Sequence, residues 1–421
     1  MNDIIVSYRM NPLRATMGAM RNEITEKESL VEEFLTRGVE KIYPDRDFLR
    51  KKLLSGETLS MYLGIDPTGP TLHLGSVVPI LKLAQFQKLG HKAVLLVGDF
   101  TATIGDPTDK LAARTPLTRK QVLENSKQYK KQTSTILDFG GKNPAKLKYN
   151  SKWLNALSMA DIAKLLSFIT YAQTIKRDMF QRRIAEGKDL YMNEFLYPAL
   201  QGYDSVAMDV DGEVGGNDQT FNMLMGRDLL KRMRHKEKFI VVMKLLVDQE
   251  GKKMGKTEGN MVSLDEGPEE MFGKVMSWPD TLILPTFELC TTVPLTEITQ
   301  IKADLAGGIN PRDIKARLAE TIVAMHHGSA KAMIAKKNFS AVFSKKSLPE
   351  NIKEVEVPKE AALIDHLAVF AGSRTRFRRL VETGSVENVE TGEKISDPFY
   401  KLNKNIIVRI GKHQFLKISV R

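Results

Sequence analysis

Residues 59–97 read LSMYLGIDPTGPTLHLGSVVPILKLAQFQKLGHKAVLLV, and the changes of pattern inside this stretch decide the fold. Leu59, Met61, Leu63 and Ile65 alternate, which is the period of a strand. Asp66-Pro67-Thr68-Gly69-Pro70-Thr71 has the composition of a turn. From Leu72 the period lengthens. Val77, Ile80, Leu81 and Ala84 fall at i, i+3, i+4 and i+7, one face of a helix that Gly90 is placed to cap. Ala93 to Val97 is then an unbroken apolar run, the mark of a strand buried on both faces. Strand, turn, helix and strand make a βαβ unit with a right-handed crossover, so the chain is expected to be α/β with a parallel sheet. Doubly wound sheets bind ligands beyond the carboxyl ends of their strands. The loops after Ile65 and Val97 are therefore where chemistry is expected.

Outward from this unit, the charged segment Asn22–Leu54 carries Leu30, Phe34, Val39 and Ile42 and reads as one or two short helices. A second helical stretch is expected from Met159 to Ala185, and another buried strand at Phe239–Met243. From about Glu266 the texture is helical, with Pro311 at a helix start and Ile314, Leu318, Ile322 and Met325 recurring at helical spacing. Lysine-rich stretches lead to a polar break, Ser347 to Pro358, and a compact basic module follows it. In that module Arg374, Arg376, Arg378 and Arg379 lie on one predicted helix, and Ile406, Val408 and Ile410 alternate.

Bulk properties narrow the possibilities. The chain has 421 residues, which predicts more than one domain. No apolar run approaches the ~20 residues needed to span a bilayer. The net charge of +12 points to a polyanionic partner, nucleic acid ahead of an anionic membrane. Cys290 is the lone cysteine, so neither an internal disulfide nor a cysteine metal site is available. That fits a reducing, cytoplasmic location. Residues 1–21 lack the pattern of a secretory signal and are expected to form a flexible tail.

Two motifs carry phosphate chemistry. His73-Leu74-Gly75-Ser76 opens the helix after the turn, where unpaired N–H groups and partial positive charge attract phosphate. Gly251-Lys252-Lys253-Met254-Gly255-Lys256-Thr257-Glu258-Gly259 sets lysines between glycines, suiting a loop that closes over an anion. Alone, each also has the look of ordinary surface. A third constellation, Tyr197, Gln201 and Asp204, falls at i, i+4 and i+7 on one helix, shortly before the Gly-rich turn Gly215-Gly216-Asn217-Asp218-Gln219.

The order and spacing of these stretches, with Tyr62 to Thr68 and Gly105-Asp106-Pro107, resemble the class I aminoacyl-tRNA synthetases, and within them the bacterial-type tyrosyl-tRNA synthetases. The resemblance covers nearly the whole chain after about residue 22. It implies a Rossmann-like parallel-sheet catalytic domain over residues 22–262, an α-helical anticodon-binding domain over 263–350 and a small α+β RNA-binding module over 359–421. It implies tyrosine, ATP with Mg²⁺, and tRNA(Tyr) as substrates, no tightly bound cofactor or protein-held metal, and a homodimer. Tyr62 and Asp204 look like the pair that hydrogen-bonds the substrate phenol. Tyr197, Asp106 and Gln201 look like the group that holds its ammonium. Gly64, Asp66, Gly216, Asp218 and Gln219 would line the ribose and aminoacyl region. Thr68 and His73 resemble the γ-phosphate pair, with Gly75 beside the nucleotide. Lys110 and Arg114 match one loop that grips pyrophosphate, and Lys253, Lys256 and Thr257 match a second. Arg374, Arg376, Arg378 and Arg379 would contact RNA.

The sequence departs from the family at Ser76, where a histidine usually contacts the ribose, and Asp109 adds negative charge to the first loop. Serine reaches less far, so weaker ATP contact is expected. Three other readings fit parts of the pattern: a tryptophan-specific relative, a noncatalytic RNA-binding or splicing protein on a synthetase scaffold, and a nucleotidylyltransferase. The Tyr62/Asp204 pair favours tyrosine. The intact His73, Lys253 and Lys256 favour catalysis, and the basic C-terminal module disfavours the nucleotidylyltransferase.

Overall fold

The computed structural model describes residues 25–108, 117–247, 261–344, 352–389, 391–411 and 414–421. Lys110, Arg114, Lys253, Lys256 and Thr257, the tail 1–21, Ser76's companion departure Asp109 and residues 347–351 of the polar break lie outside the described residues. The chain divides into two units. One runs to Glu266 and includes Trp278–Leu318; the other comprises Gly267–Ser277 and Ala319–Arg421.

The first unit is built on a mixed six-stranded sheet. Its strands are β1 (Val39–Tyr43), β2 (Ser60–Ile65), β3 (Lys92–Val97), β4 (Lys146–Tyr149), β5 (Gly212–Gly216) and β6 (Phe239–Met243), in the order β1-β6-β5-β2-β3-β4. Strands β2 to β6 are parallel, and β1 adds antiparallel to the edge of β6. The βαβ unit read from residues 59–97 is present. β2 and β3 pair in register from Ser60↔Lys92 to Ile65↔Val97, joined through the Leu74–Lys88 helix. Gly90 follows the helix end with φ 90°, a backbone state that favours glycine.

Strand order explains where the cleft opens. The chain passes from β2 to β3 to β4 on one side, then returns to lay β5 on the other side of β2. Connections above β2 and β5 therefore leave in opposite directions, and a crevice forms at their carboxyl ends.

Several expectations need correction. Met61, Tyr62 and Leu63 are all buried, so β2 is covered on both faces and does not alternate. Val39 and Ile42 belong to β1, not to a helix; pairing with β6 decides their state, which local spacing cannot. Met159–Ala185 is three short helices, Met159–Leu166, Tyr171–Thr174 and Asp178–Ala185. Ser158 and Thr170 each accept a hydrogen bond from a downstream backbone N–H and start separate helices.

The helices Ile283–Cys290, Leu295–Ala306 and Pro311–His327 follow the sheet. The N-terminal helix over 25–36 is tied to the first of them by the buried Arg37. Its guanidinium donates to the carbonyls of Phe287, Glu288, Thr291 and Val293 at 2.7–3.2 Å, satisfying carbonyls at and beyond the helix end.

In the second unit, β7 (Lys353–Val357), β8 (Val386–Asn388), β9 (Ile406–Ile410) and β10 (Gln414–Val420) form a sheet in the order β7-β10-β9-β8. Ile406, Val408 and Ile410 point inward as their alternation predicts. They pack with Leu363, Phe377, Val381 and Ile418.

Lys82, on the Leu74–Lys88 helix, is buried, donating to the Phe34 carbonyl at 2.6 Å. Burial, aided by Arg37, lowers its pKa to about 7. Between pH 7 and 9 the unfolded chain holds this proton more firmly than the folded one, so stability should rise with pH. The rise from this group is on the order of 2 kcal/mol. Denaturant midpoints at pH 7 and 9 should differ in the native protein, and Lys82→Met should flatten that difference.

Candidate active site

The crevice beside β2 and β5 is lined by two groups of hydrogen-bonded polar side chains. Asp66 stands just past β2. Its Oδ1 accepts from Thr101 Oγ1 at 2.7 Å and its Oδ2 from the Tyr197 hydroxyl at 2.9 Å. Asn150 links outward, donating to Thr101 Oγ1 at 3.1 Å and to Asp204 Oδ2 at 3.3 Å. Trp153 Nε1 donates to the other Asp204 oxygen at 2.7 Å. Asp106 accepts from Gln219 Nε2 at 2.7 Å and from the backbone N–H and hydroxyl of Thr108. Arg177 donates to the Thr108 hydroxyl at 2.9 Å and lies over the Phe221 ring.

Close approach is built in at two glycines. A Cβ on Gly98 would stand 2.0 Å from Asp66 Oδ1, and one on Gly216 would stand 2.5 Å from Asp218 Oδ1. Any larger residue at these positions would displace a carboxylate from the cleft.

Burial controls the charge states. It holds the Asp204 carboxyl well above the usual carboxylate range, against the pull of the Trp153 and Asn150 donors. It also pushes the Tyr62 and Tyr197 phenols well up, with nearby carboxylates adding to the effect: Glu213 and Asp204 for Tyr62, Asp66 and Asp106 for Tyr197. Both phenols therefore stay neutral and can donate. Tyr62, fully buried on β2, bonds Ser205 Oγ at 3.0 Å.

The phosphate-directed motif sits at the mouth. His73 is the N-cap residue of the Leu74–Lys88 helix, in extended backbone. The segment that follows the lysine loop returns to this helix start. His73 bridges Ser263, Leu74 N–H donates to the Val262 carbonyl at 3.0 Å, and Leu264 N–H donates to the Leu72 carbonyl at 2.9 Å. His73, Leu74 and Gly75 line a small pocket with Leu246, Met261, Val262 and Trp278. Residues 262–264 thus meet the first motif, although they are far from it in sequence.

Sequence reasoning singled out Tyr62, Asp66, Asp106, Tyr197, Asp204 and Gln219, and the fold gathers them around this crevice. Thr68 and Gly64 are exposed at the carboxyl end of β2, and Ser76 is half-buried on the helix's first turn. Arg374, Arg376, Arg378 and Arg379 lie in the second unit, all exposed on the Arg374–Glu382 helix, whose Phe377 and Val381 face the core. Arg374 pairs with Asp365, and Arg378 lies over the Phe399 ring. Asn150, Trp153, Thr101, Thr108, Arg177 and Ser205 were missed. Asn150 and Trp153 follow β4, a Lys-rich edge strand with no apolar run to betray it. Had that strand been recognised, its carboxyl end would have pointed to them.

Among the described residues no group of three or more His, Cys, Asp and Glu is placed to hold a metal, and no helix is long and apolar enough to cross a membrane.

The comparisons agree with this geometry. The family model "tRNA synthetases class I (W and Y)" matches residues 54–344. The tyrosine–tRNA ligase of Carboxydothermus hydrogenoformans is 42% identical over 404 residues, covering 92% of this chain and 97% of that protein. That of Moorella thermoacetica is 40% identical over 394 residues, covering 91% and 94%. Among solved structures, the C-terminally truncated mitochondrial tyrosyl-tRNA synthetase of Coccidioides posadasii is similar, with a TM-score of 0.61 and 25% identity. It covers 77% of this chain and 99% of that one. The corresponding Aspergillus nidulans structure shares the fold with a TM-score of 0.64 at 21% identity, covering 77% and 100%. With a family match across residues 54–344 and relatives above two-fifths identity over nine-tenths of its length, the chain belongs to the class I tRNA synthetases of the tyrosine and tryptophan type, as a bacterial-type tyrosyl-tRNA synthetase.

Proposed function

We propose that the chain activates tyrosine with ATP, releasing pyrophosphate, and passes the tyrosyl group to the 3′ end of tRNA(Tyr). The observation that carries this reading is the buried pair Tyr62 and Asp204 beneath a cleft lined by Asp66, Asp106 and Gln219. A phenol needs a donor and an acceptor, and a buried polar partner left unpaired by phenylalanine is costly. Tyr197, Asp106 and Gln201 hold the substrate ammonium in this reading, and Gly64, Asp66, Gly216 and Asp218 approach the ribose and aminoacyl group.

The substrate carboxylate attacks the α-phosphate in line, and the α–β phosphoanhydride bond breaks to release pyrophosphate. A carboxylate is already a nucleophile, so no general base is required. The protein's task is to orient the reactants and stabilise charge growing on the leaving phosphates. The start of the Leu74–Lys88 helix with Thr68 and His73 serves that role, joined by Lys110, Arg114, Lys253, Lys256 and Thr257. Gly75 and Ser76 lie against the nucleotide. Mg²⁺ enters with ATP, on its phosphates.

We assign the 263–350 helices to anticodon contact and the exposed Arg374, Arg376, Arg378 and Arg379 to tRNA phosphates; the basic charge of the chain supports both. A cytoplasmic homodimer completes the reading. Large apolar side chains left exposed at Met159, Tyr171, Ile184, Tyr191 and Met192 support self-association.

Tyrosine-dependent ATP–pyrophosphate exchange, run across all twenty amino acids, tests the whole reading. Exchange with tyrosine alone is expected; exchange with tryptophan would overturn the pocket, and none would point to a noncatalytic RNA-binding protein. His73→Ala should lower adenylate formation on the order of a hundredfold with tyrosine affinity little changed, as loss of a transition-state donor does. Asp204→Ala should lower the preference for tyrosine over phenylalanine on the order of tenfold to a hundredfold in exchange kinetics. Deleting residues 359–421 should spare exchange and lower tRNA charging by about tenfold or more, with a weaker salt dependence.

A further inference from the structure

Among the buried charged pairs that the mechanism leaves unused, Lys238–Glu213 stands nearest the phenol site. Lys238 precedes β6 and Glu213 lies on β5; both are almost fully buried, 2.5 Å apart. They sit behind the phenol site, with the Lys238 ammonium 5.8 Å from the centroid of the Tyr62 ring. Gly226 makes the room. A Cβ there would stand 2.6 Å from Lys238 Nζ and 2.8 Å from Ser205 Oγ. Replacing a buried ion pair by apolar groups of similar size is often neutral or stabilising. Stability alone therefore does not account for the pair, and its neighbours do.

Each partner makes further contacts, and their directions are fixed. Lys238 Nζ donates to Ser205 Oγ at 2.8 Å, because an ammonium has no acceptor. Ser205 keeps a single hydrogen, and Tyr62 Oη is its neighbour at 3.0 Å. With Ser205 donating, the Tyr62 hydrogen is turned away from it, toward the Glu213 carboxylate that also faces the phenol. On the other side, Gln201 Nε2 donates to Glu213 Oε1 at 3.3 Å, because a carboxylate can only accept. That orients the amide. Gln201 Oε1 is left buried and accepts no hydrogen bond among the described residues.

We propose that Lys238 and Glu213 are positioning residues that set the hydrogen-bond polarity of the tyrosine pocket. Through Ser205 and Glu213 they fix the direction of the Tyr62 hydroxyl that faces the substrate phenol, and through Gln201 they present an acceptor to the substrate ammonium. The inference rests on the tyrosine reading of the pocket. It assigns specificity to groups that never touch substrate.

The test is ATP–pyrophosphate exchange by the full-length protein with tyrosine and with phenylalanine. Ser205→Ala breaks the relay and keeps the ion pair. It should lower the tyrosine-to-phenylalanine ratio of kcat/KM by about tenfold, the scale of one lost hydrogen bond, with KM for ATP unchanged. The double variant Lys238→Met/Glu213→Gln removes both charges without stranding either. It should lower the ratio similarly and also lower kcat/KM for phenylalanine, which shares the ammonium. Thermal unfolding and active-site titration report the folded, competent fraction; if the double variant does not fold, Ser205→Ala decides. A ratio within about twofold of the native value, in folded Ser205→Ala protein, would overturn the proposal. A loss of active fraction at constant ratio would do the same, because it marks a purely structural role. Native protein that fails to exchange with tyrosine would overturn the tyrosine reading and this inference together, whereas normal native exchange with an unmoved ratio overturns this inference alone.

Discussion

The reversal of strand order between β2 and β5 governs the rest of this molecule. A parallel sheet covered on both faces has little polar surface of its own, and strands β2, β3 and β6 here are largely apolar. Polar side chains can enter only where strands end and the backbone turns away. At the reversal two such ends, after Ile65 and after Gly216, stand side by side with their connections departing in opposite directions. The crevice between them follows from topology, and the chemistry collects there.

Carboxylates in that crevice are stable only because each is held by donors. Asp66 has Thr101 and Tyr197, Asp106 has Thr108 and Gln219, and Asp204 has Asn150 and Trp153. An unpaired buried carboxylate would be costly. The donors come from segments distant in sequence, so satisfying the acids also locks those segments together. A network assembled this way is preorganised: substrate groups replace or join existing hydrogen bonds, and little rearrangement is needed. The glycines at 98 and 216 belong to the same design, since side chains there would collide with Asp66 and Asp218.

The nucleotide end is organised differently. There the assets are backbone direction and the start of a helix, not buried acids. The strand-like pairing of residues 262–264 with 72–74 brings the exit of the lysine-rich stretch to the helix N-terminus that carries His73.

Sequence alone determined the local elements whose pattern is carried by neighbouring residues: the βαβ unit of residues 59–97, the buried strand at 239–243, the helix bearing Tyr197, Gln201 and Asp204, and the alternation at 406–410. The family resemblance likewise singled out Tyr62, Asp66, Asp106, Tyr197, Asp204 and Gln219 among the cleft's polar residues. What it left open has one physical cause: it depends on partners far along the chain. β1 is a strand because β6 offers it an edge, and β4 because β3 does. Lys82 is inside because the Phe34 carbonyl receives it, though its helix position reads as solvent-facing. Asn150, Trp153, Ser205, Glu213 and Lys238 have no local signature; each is defined by what it faces across the sheet or between helices. Residue type and spacing, read through the family resemblance, announced the substrate-facing groups. Only the tertiary structure decided which buried donors and acceptors stand behind them, because hydrogen-bond direction is set by the partner and not by the residue itself.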